Sequence, residues 1–194
     1  ENNQLQQDRY ELSTLRELYE LDQEYSDYKK IGARVIASEA DNWFYSFTID
    51  KGKEDGVQVD CNVMAGSGLV GRVVSVGPNY SKVQSIISDS NHVSATVLAT
   101  SENMIVSGDL QSMQSDGVIR FEQLTDKKNK VSVGDKVVTS SISDKYLPGI
   151  LIGYISSIDT SSDNLTKTGY ITPAVDFSHL EEVLVVMDLK QQID

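Results

Sequence analysis

The sequence predicts a mainly β protein: one N-terminal coiled-coil-like helix followed by two six-stranded β-barrels. Three observations carry that expectation. Residues 1–30 contain no glycine or proline and are dense in Leu, Glu, Gln and Arg, all good helix formers. From residue 33 onward the chain becomes a succession of short β-branched runs separated by turn dipeptides. A hairpin-like pattern then occurs twice. Val57-Gln58-Val59-Asp60-Cys61-Asn62-Val63 is echoed by Val131-Ser132-Val133-Gly134-Asp135-Lys136-Val137, and Gly68-Leu69-Val70-Gly71-Arg72-Val73 by Gly149-Ile150-Leu151-Ile152-Gly153-Tyr154-Ile155.

The helix comes first. Leu5, Leu12, Leu15 and Tyr19 follow seven- and three-four-residue spacing, and Leu18, Leu21, Tyr25 and Tyr28 continue it on a shifted register. A seam that shifts in this way is expected of a coiled coil with a discontinuity. A narrow apolar seam with acidic flanks is explained more simply by a partner helix than by packing on its own domain. The expected contacts of a homodimer are therefore Leu5, Leu12, Leu15, Leu18 and Tyr19. Lys29 and Lys30 are expected in the last turn, where positive charge suits the helix dipole, with Gly32 as the C-terminal cap.

The β runs are expected over 33–38, 43–49, 61–65, 68–76, 82–87, 93–99, 103–107, 117–123, 135–140, 149–158, 169–173 and 182–187. Asp55-Gly56, Asp89-Ser90-Asn91, Gly108-Asp109, Asp116-Gly117, Pro148-Gly149 and Asp163-Asn164 separate them. Many short strands at this spacing point to barrels or sandwiches rather than alternating β–α units. The second copy of the hairpin has a longer turn and one extra residue before its inner glycine. That residue would reverse the faces of the strand unless a bulge absorbs it. Genuine duplication and the chance likeness of two valine-rich hairpins both remain open. The expected division is 1–32 for the helix, 33–110 for the first barrel and 111–194 for the second, with the crossing near 107–115. For the last strand, 182–187, two placements are open: the second barrel, or a return to the first.

Composition narrows the function. A hydrophobic share of 39% against a charged share of 24% suits a folded globular chain rather than wholesale disorder. The net charge of −12 gives no general attraction to nucleic acid or to anionic lipid headgroups. The short run Lys127, Lys128 and Lys130 reads as a solvated loop. No apolar run approaches the roughly 18 residues of a membrane span. The chain opens Glu1-Asn2-Asn3-Gln4, without Met or the apolar core of a leader, so a piece of a longer chain is expected. Cys61 is the single cysteine, which excludes an internal disulfide.

Chemistry-bearing motifs are sparse. His92 follows a polar turn and His179 sits in Asp176-Phe177-Ser178-His179-Leu180. A serine hydrolase would need one of them beside a nucleophile and oriented by a carboxylate, and no serine occupies a nucleophile turn. Cys61 lies in an apolar alternation and reads as a small buried residue. Residues 159–164 lack the alternating ligands of a calcium loop, and no His, Cys or Asp cluster has metal-ligand spacing. Gly66-Ser67-Gly68-Leu69-Val70-Gly71 matches a dinucleotide fingerprint only literally, because a strand follows where a helix is required. No cofactor and no catalytic residue is expected.

Several segments together resemble a known family. Asn42-Trp43, Thr48-Ile49-Asp50-Lys51-Gly52 and Asp55-Gly56-Val57 are similar to the opening of the MreC family of rod shape-determining proteins. Gly68-Leu69-Val70-Gly71-Arg72-Val73 followed by Val76-Gly77-Pro78-Asn79-Tyr80-Ser81-Lys82-Val83 resembles its most specific signature. Val133-Gly134-Asp135-Lys136-Val137-Val138-Thr139-Ser140, Gly149-Ile150-Leu151-Ile152-Gly153, Pro173-Ala174-Val175-Asp176-Phe177 and Leu180-Glu181-Glu182-Val183-Leu184-Val185 resemble later blocks. The chain departs from the family at 141–148, where glycines and a basic residue before Gly149 are replaced by Ser141-Ile142-Ser143-Asp144-Lys145-Tyr146-Leu147-Pro148.

The resemblance implies a helix followed by two barrels, in a chymotrypsin-like arrangement without catalysis. It implies a single-pass protein of the cell membrane, with this portion on the extracytoplasmic side and the spanning helix upstream of Glu1. It also implies partners: MreB, MreD, the RodA polymerase and class B penicillin-binding proteins. The leading reading is a non-catalytic, dimeric scaffold of cell-wall elongation. A trypsin-like serine hydrolase on the same architecture is the alternative, and a binding module for a wall polymer a third.

Overall fold

The computed structural model describes residues 2–25, 27–38, 44–66, 68–162 and 165–190. Helix α1 runs Asn2–Glu24 and is followed by β1 (Lys30–Ser38), β2 (Ser46–Ile49), β3 (Asn62–Ala65), β4 (Gly68–Val76), β5 (Ser81–Ser85), β6 (His92–Val97) and β7 (Asn103–Ser107). A short helix, α2 (Leu110–Asp116), precedes β8 (Ile119–Leu124), β9 (Lys136–Thr139), β10 (Leu151–Thr160), β11 (Lys167–Pro173) and β12 (Glu182–Val186). The helix ends earlier than expected. Lys30 opens β1, and Gly32 lies opposite Leu184 rather than capping α1. Residues 31–36 are too β-branched to resist a strand partner. The Lys30 ammonium still meets the chain after the helix, donating to the carbonyls of Tyr25 and Tyr28. Trp43, expected to open the second strand, and the Asp163-Asn164 turn lie outside the described residues.

The twelve strands form two closed barrels, cyclic orders β1-β12-β3-β4-β5-β2 and β10-β11-β8-β7-β6-β9. In chain order β1–β6 and β7–β12 are two runs of six, and the order β3-β4-β5-β2-β1 recurs as β9-β10-β11-β8-β7. The slot between β1 and β3 is filled by β12, and the slot between β7 and β9 by β6. Each run thus lends its sixth strand to the other barrel. This corrects the expected boundary near 110: β6 and β7 already belong to the second barrel, and the crossing falls at 86–91. The segment 107–115 is occupied instead by α2. Its N-terminus is capped by the Asp109 carboxylate, which accepts from the Ser112 amide at 2.9 Å. Its end is closed by Gly117 in the left-handed conformation, φ 69°.

The repeated hairpin is a structural duplication. Pairing shifts register between Val73 and Ser75 against β5, and between Ile155 and Ser157 against β11, two residues past Gly71 and Gly153 in each copy. Both glycines sit where a neighbouring strand presses close. A Cβ at Gly71 would lie 2.0 Å from the Gln84 carbonyl oxygen, and one at Gly153 2.2 Å from that of Thr172. The extra residue of the second copy falls in the loop before β10, so the faces of the strand are preserved. Each barrel closes over inward-facing residues. Phe47, Ile49, Val63, Leu69, Val83 and Val185 are fully buried in the first, and Val93, Ala95, Ile119, Phe121, Val137 and Ile171 in the second.

Candidate functional site on the helix and at the barrel joint

Helix α1 presents two different faces. Leu5, Leu12, Leu15 and Tyr19 point to solvent, each between 49 and 66% exposed. Leu18 is 9% exposed and belongs to the core cluster. At about 100° of rotation per residue, the four exposed positions fall on one stripe and Leu18 lies well round the helix from it. Leu18, expected among the dimer contacts, packs instead on its own chain, on a different stripe from the other four. Thr14 is half-buried beside it, and Tyr25 packs against the core. Between α1 and the first barrel lies a cleft of about 430 Å³ edged by Gln7, Tyr10, Glu11, Arg34 and Glu181. Partial burial and the carboxylates of Glu181, Asp176 and Glu17 raise the Tyr10 phenol above its ordinary pKa.

Below the helix the two barrels meet around the loop that joins β9 to β10. Asn62, buried at the start of β3, accepts from the Leu147 amide at 2.9 Å and donates to the Lys145 carbonyl at 3.0 Å. One side-chain amide therefore holds the loop backbone in both directions. The Tyr146 hydroxyl donates to Asn91 Oδ1 at 2.8 Å. Burial pushes that phenol up to about 12, against the opposing pull of nearby Arg72. Arg72 is itself paired with Asp60 at 2.7 Å.

The groups that the sequence singled out for chemistry are not assembled into a relay. His179 Nδ1 meets Ser178 Oγ at 3.0 Å and Asp176 Oδ2 at 3.5 Å, while Ser178 Oγ donates to Asp176 Oδ1 at 2.5 Å. A nucleophilic serine needs the carboxylate on one ring nitrogen and the hydroxyl on the other; here both partners share one nitrogen. His92 Nδ1 faces Ser107 Oγ at 2.9 Å across the β6–β7 pair. Cys61 is buried, and burial raises its thiol pKa, the opposite of an activated nucleophile. Among the described residues no group of His, Cys, Asp and Glu is arranged to hold a metal ion. No described helix is long and apolar enough to cross a membrane.

The fold and its surfaces define a two-barrel β protein that carries an N-terminal helix with an exposed apolar stripe. Sequence and structure comparison gives the family. Residues 35–187 match the profile of the rod shape-determining protein MreC, barrel core, and the chain belongs to the MreC family. The cell shape-determining protein MreC of Listeria monocytogenes is 34% identical over 89% of this chain, and that of Bacillus subtilis is 32% identical over 82%. The chain spans 58% and 57% of those relatives. A solved structure of the Listeria monocytogenes MreC covers 99% of this chain with TM-score 0.75 and 30% identity. A complex between penicillin-binding protein PBP2 and MreC from Helicobacter pylori contains a chain matching at TM-score 0.60 over 82% of this one, with 11% identity, a likeness of fold.

Sequence reasoning reached the exposed stripe through its spacing. It missed the joint: Asn62, Asn91 and Tyr146 are 29 and 55 residues apart in the chain and share no motif. The only signal was the departure from the family pattern at 141–148.

Proposed function

We propose that this chain is part of a non-catalytic scaffold of the cell-wall elongation machinery that maintains rod shape. It self-associates through Leu5, Leu12, Leu15 and Tyr19 and works on the extracytoplasmic side of the cell membrane, anchored by a segment upstream of Glu1. The observation that carries the self-association is the solvent-facing stripe on α1. A helix of this length gains most of its stability from packing, and its outer half has an apolar face without a described partner. Burying each leucine against a second copy contributes up to roughly 1.5–3 kcal/mol. Parallel pairing suits two chains leaving the same bilayer. The single-nitrogen geometry at His179 supports a non-catalytic role over the hydrolase alternative.

The Helicobacter pylori complex supports a class B penicillin-binding protein as a partner of this chain too. Family membership extends the reading to MreB, MreD and RodA. Analytical ultracentrifugation tests the self-association. The wild type should sediment as a dimer at tens of micromolar, and Leu12→Asp/Leu15→Asp as a folded monomer, because unpaired charge in the seam is strongly disfavoured. A monomeric wild type, or a dimeric double variant, would sink this reading of the helix.

A further inference from the structure

The β9–β10 loop does more than close a hairpin. Its counterpart in the first barrel leaves two residues between Ala65 and Gly68, whereas this one takes residues 140–150. The added length turns inward: Ser143, Tyr146, Leu147 and Ile150 are buried. Four separate parts of the molecule reach it. Asn62 of the first barrel holds Lys145 and Leu147, and Asn91 of the crossing segment takes the Tyr146 hydroxyl. From the helix exit, the Tyr28 hydroxyl donates to the Pro148 carbonyl at 3.1 Å, and the Leu151 amide donates to Tyr25 Oη at 3.2 Å. Beyond β12, the Lys190 ammonium donates to the Ser141 carbonyl at 2.7 Å. The barrels also press together here: a Cβ at Gly68 would lie 2.4 Å from the Leu151 carbonyl oxygen.

We propose that residues 141–151 form a latch through which the end of α1 and the second barrel are held to the first barrel as one body. The seat of α1 on the first barrel and the seat of the loop then open and close together. The chemistry of the contact suits a latch. Its bonds run largely from side chains to loop backbone, groups that water can satisfy when the contact opens. Asn91 Nδ2 is buried without a hydrogen-bond partner even when the latch is closed, so that atom gains a partner on release. At the loop itself, the chain just after α1 contributes two tyrosine hydroxyls, so this contact can open without opening either barrel. Force or binding applied to the second barrel is thereby felt at the helix exit, and the reverse.

Amide exchange by NMR on the full chain tests this with two variants. Tyr25→Phe/Tyr28→Phe removes both hydroxyls that reach the loop. Leu18→Ala loosens α1 on the first barrel two turns before Tyr25, at a residue with no recorded bond to the loop. In both variants exchange at Leu151 and at Leu147 should accelerate at least tenfold, while Val183 and Leu184 in the β1–β12 pair keep their protection. Leu147 is bonded to Asn62 and not to the helix, so its response reports the latch as a whole. If Leu147 is unchanged in both variants, whether or not Leu151 responds, the contacts are local and the latch is overturned. Loss of protection at Val183 and Leu184 in both variants would equally contradict it, because the barrel would then be opening in place of the joint.

Discussion

In the first barrel β3 and β4 are joined across residues 66–67; in the second, β9 and β10 are joined across 140–150. On either side of these connections the two copies match, with an inner glycine pressed against a neighbouring carbonyl and a bulge two residues beyond it. What differs is the connection itself: the second copy carries a loop that reaches into the first barrel. The exchange of sixth strands, which the two runs share, and this loop, which only the second has, fasten the barrels together.

The severest way to break this comparison is to withdraw one exchanged strand. Ending the chain at Glu181 removes β12, which pairs with both β1 and β3 and buries Val183, Val185 and Val186 completely. At roughly 1.5–3 kcal/mol each, those three side chains contribute about 5–9 kcal/mol, a large part of the stability of an ordinary domain. The shortened chain should lose dispersed NMR signals across the first barrel. A native-like spectrum for β3–β5 would mean that the barrel closes without its borrowed strand.

A smaller effect separates the barrels by their ion pairs. In the second, the Asp126 carboxylate is 1% exposed, meets Lys167 at 2.9 Å and accepts from the amides of Lys130 and Val131. Asp126→Ala should cost about 2–3 kcal/mol in urea unfolding, because it leaves two amides unpaired and takes the counter-charge from the Lys167 ammonium, which keeps only the neutral Asn129 oxygen among its described partners. Breaking the partly exposed Asp60–Arg72 pair of the first barrel should cost under about 1 kcal/mol. Burial by itself would raise the Asp126 pKa, but Lys167 and the two amides outweigh it and hold it below the ordinary value. With the folded value the lower one, the unfolded chain binds the proton more tightly. Stability from this group is full above about pH 4 and is lost as pH falls through the folded value. Asp126→Ala should therefore flatten the acid limb of the pH–stability curve; an unchanged limb would contradict the assignment.

Tyr146→Phe should cost about 1 kcal/mol in the same unfolding experiment by leaving Asn91 Oδ1 unpaired, with both barrels still closed. The smallest effect belongs to the cap of α2, where Asp109→Ala should cost about 0.5–1 kcal/mol.

Much of this architecture is legible in the sequence. Twelve strands divide into six and six, the hairpin recurs, and the helix carries a shifted seam. The exchange of sixth strands is not legible, because β propensity and alternation say that 93–97 and 182–186 are strands but not which barrel they complete. Helix α2 was within reach: Asp109 and Gly117 stand at the spacing of an N-cap and a C-terminal glycine, but a polar stretch rich in Ser and Gln reads equally as a turn. The end of α1 was misplaced because Lys29 and Lys30 suit a helix terminus as well as a strand start, and pairing with β12 decided between them. Leu18 was grouped with the exposed leucines because spacing alone does not say which stripe faces the protein's own barrel.

Whether the two barrels behave as one unit is tested most directly by pulsed thiol labelling across a denaturant series. Cys61 is buried in the first barrel and is the chain's single cysteine, so the wild type reports that barrel alone. Cys61→Ala/Val137→Cys moves the probe to the position in β9 that matches Val63 in β3. Exchanged strands and the shared loop predict that, in each protein, the thiol becomes reactive at the same denaturant concentration at which the whole circular dichroism signal is lost. A Val137→Cys thiol that reacts well before the signal is lost, or a Cys61 thiol that does, would show that one barrel opens while the other stays folded, and that the strands joining them do not make them one.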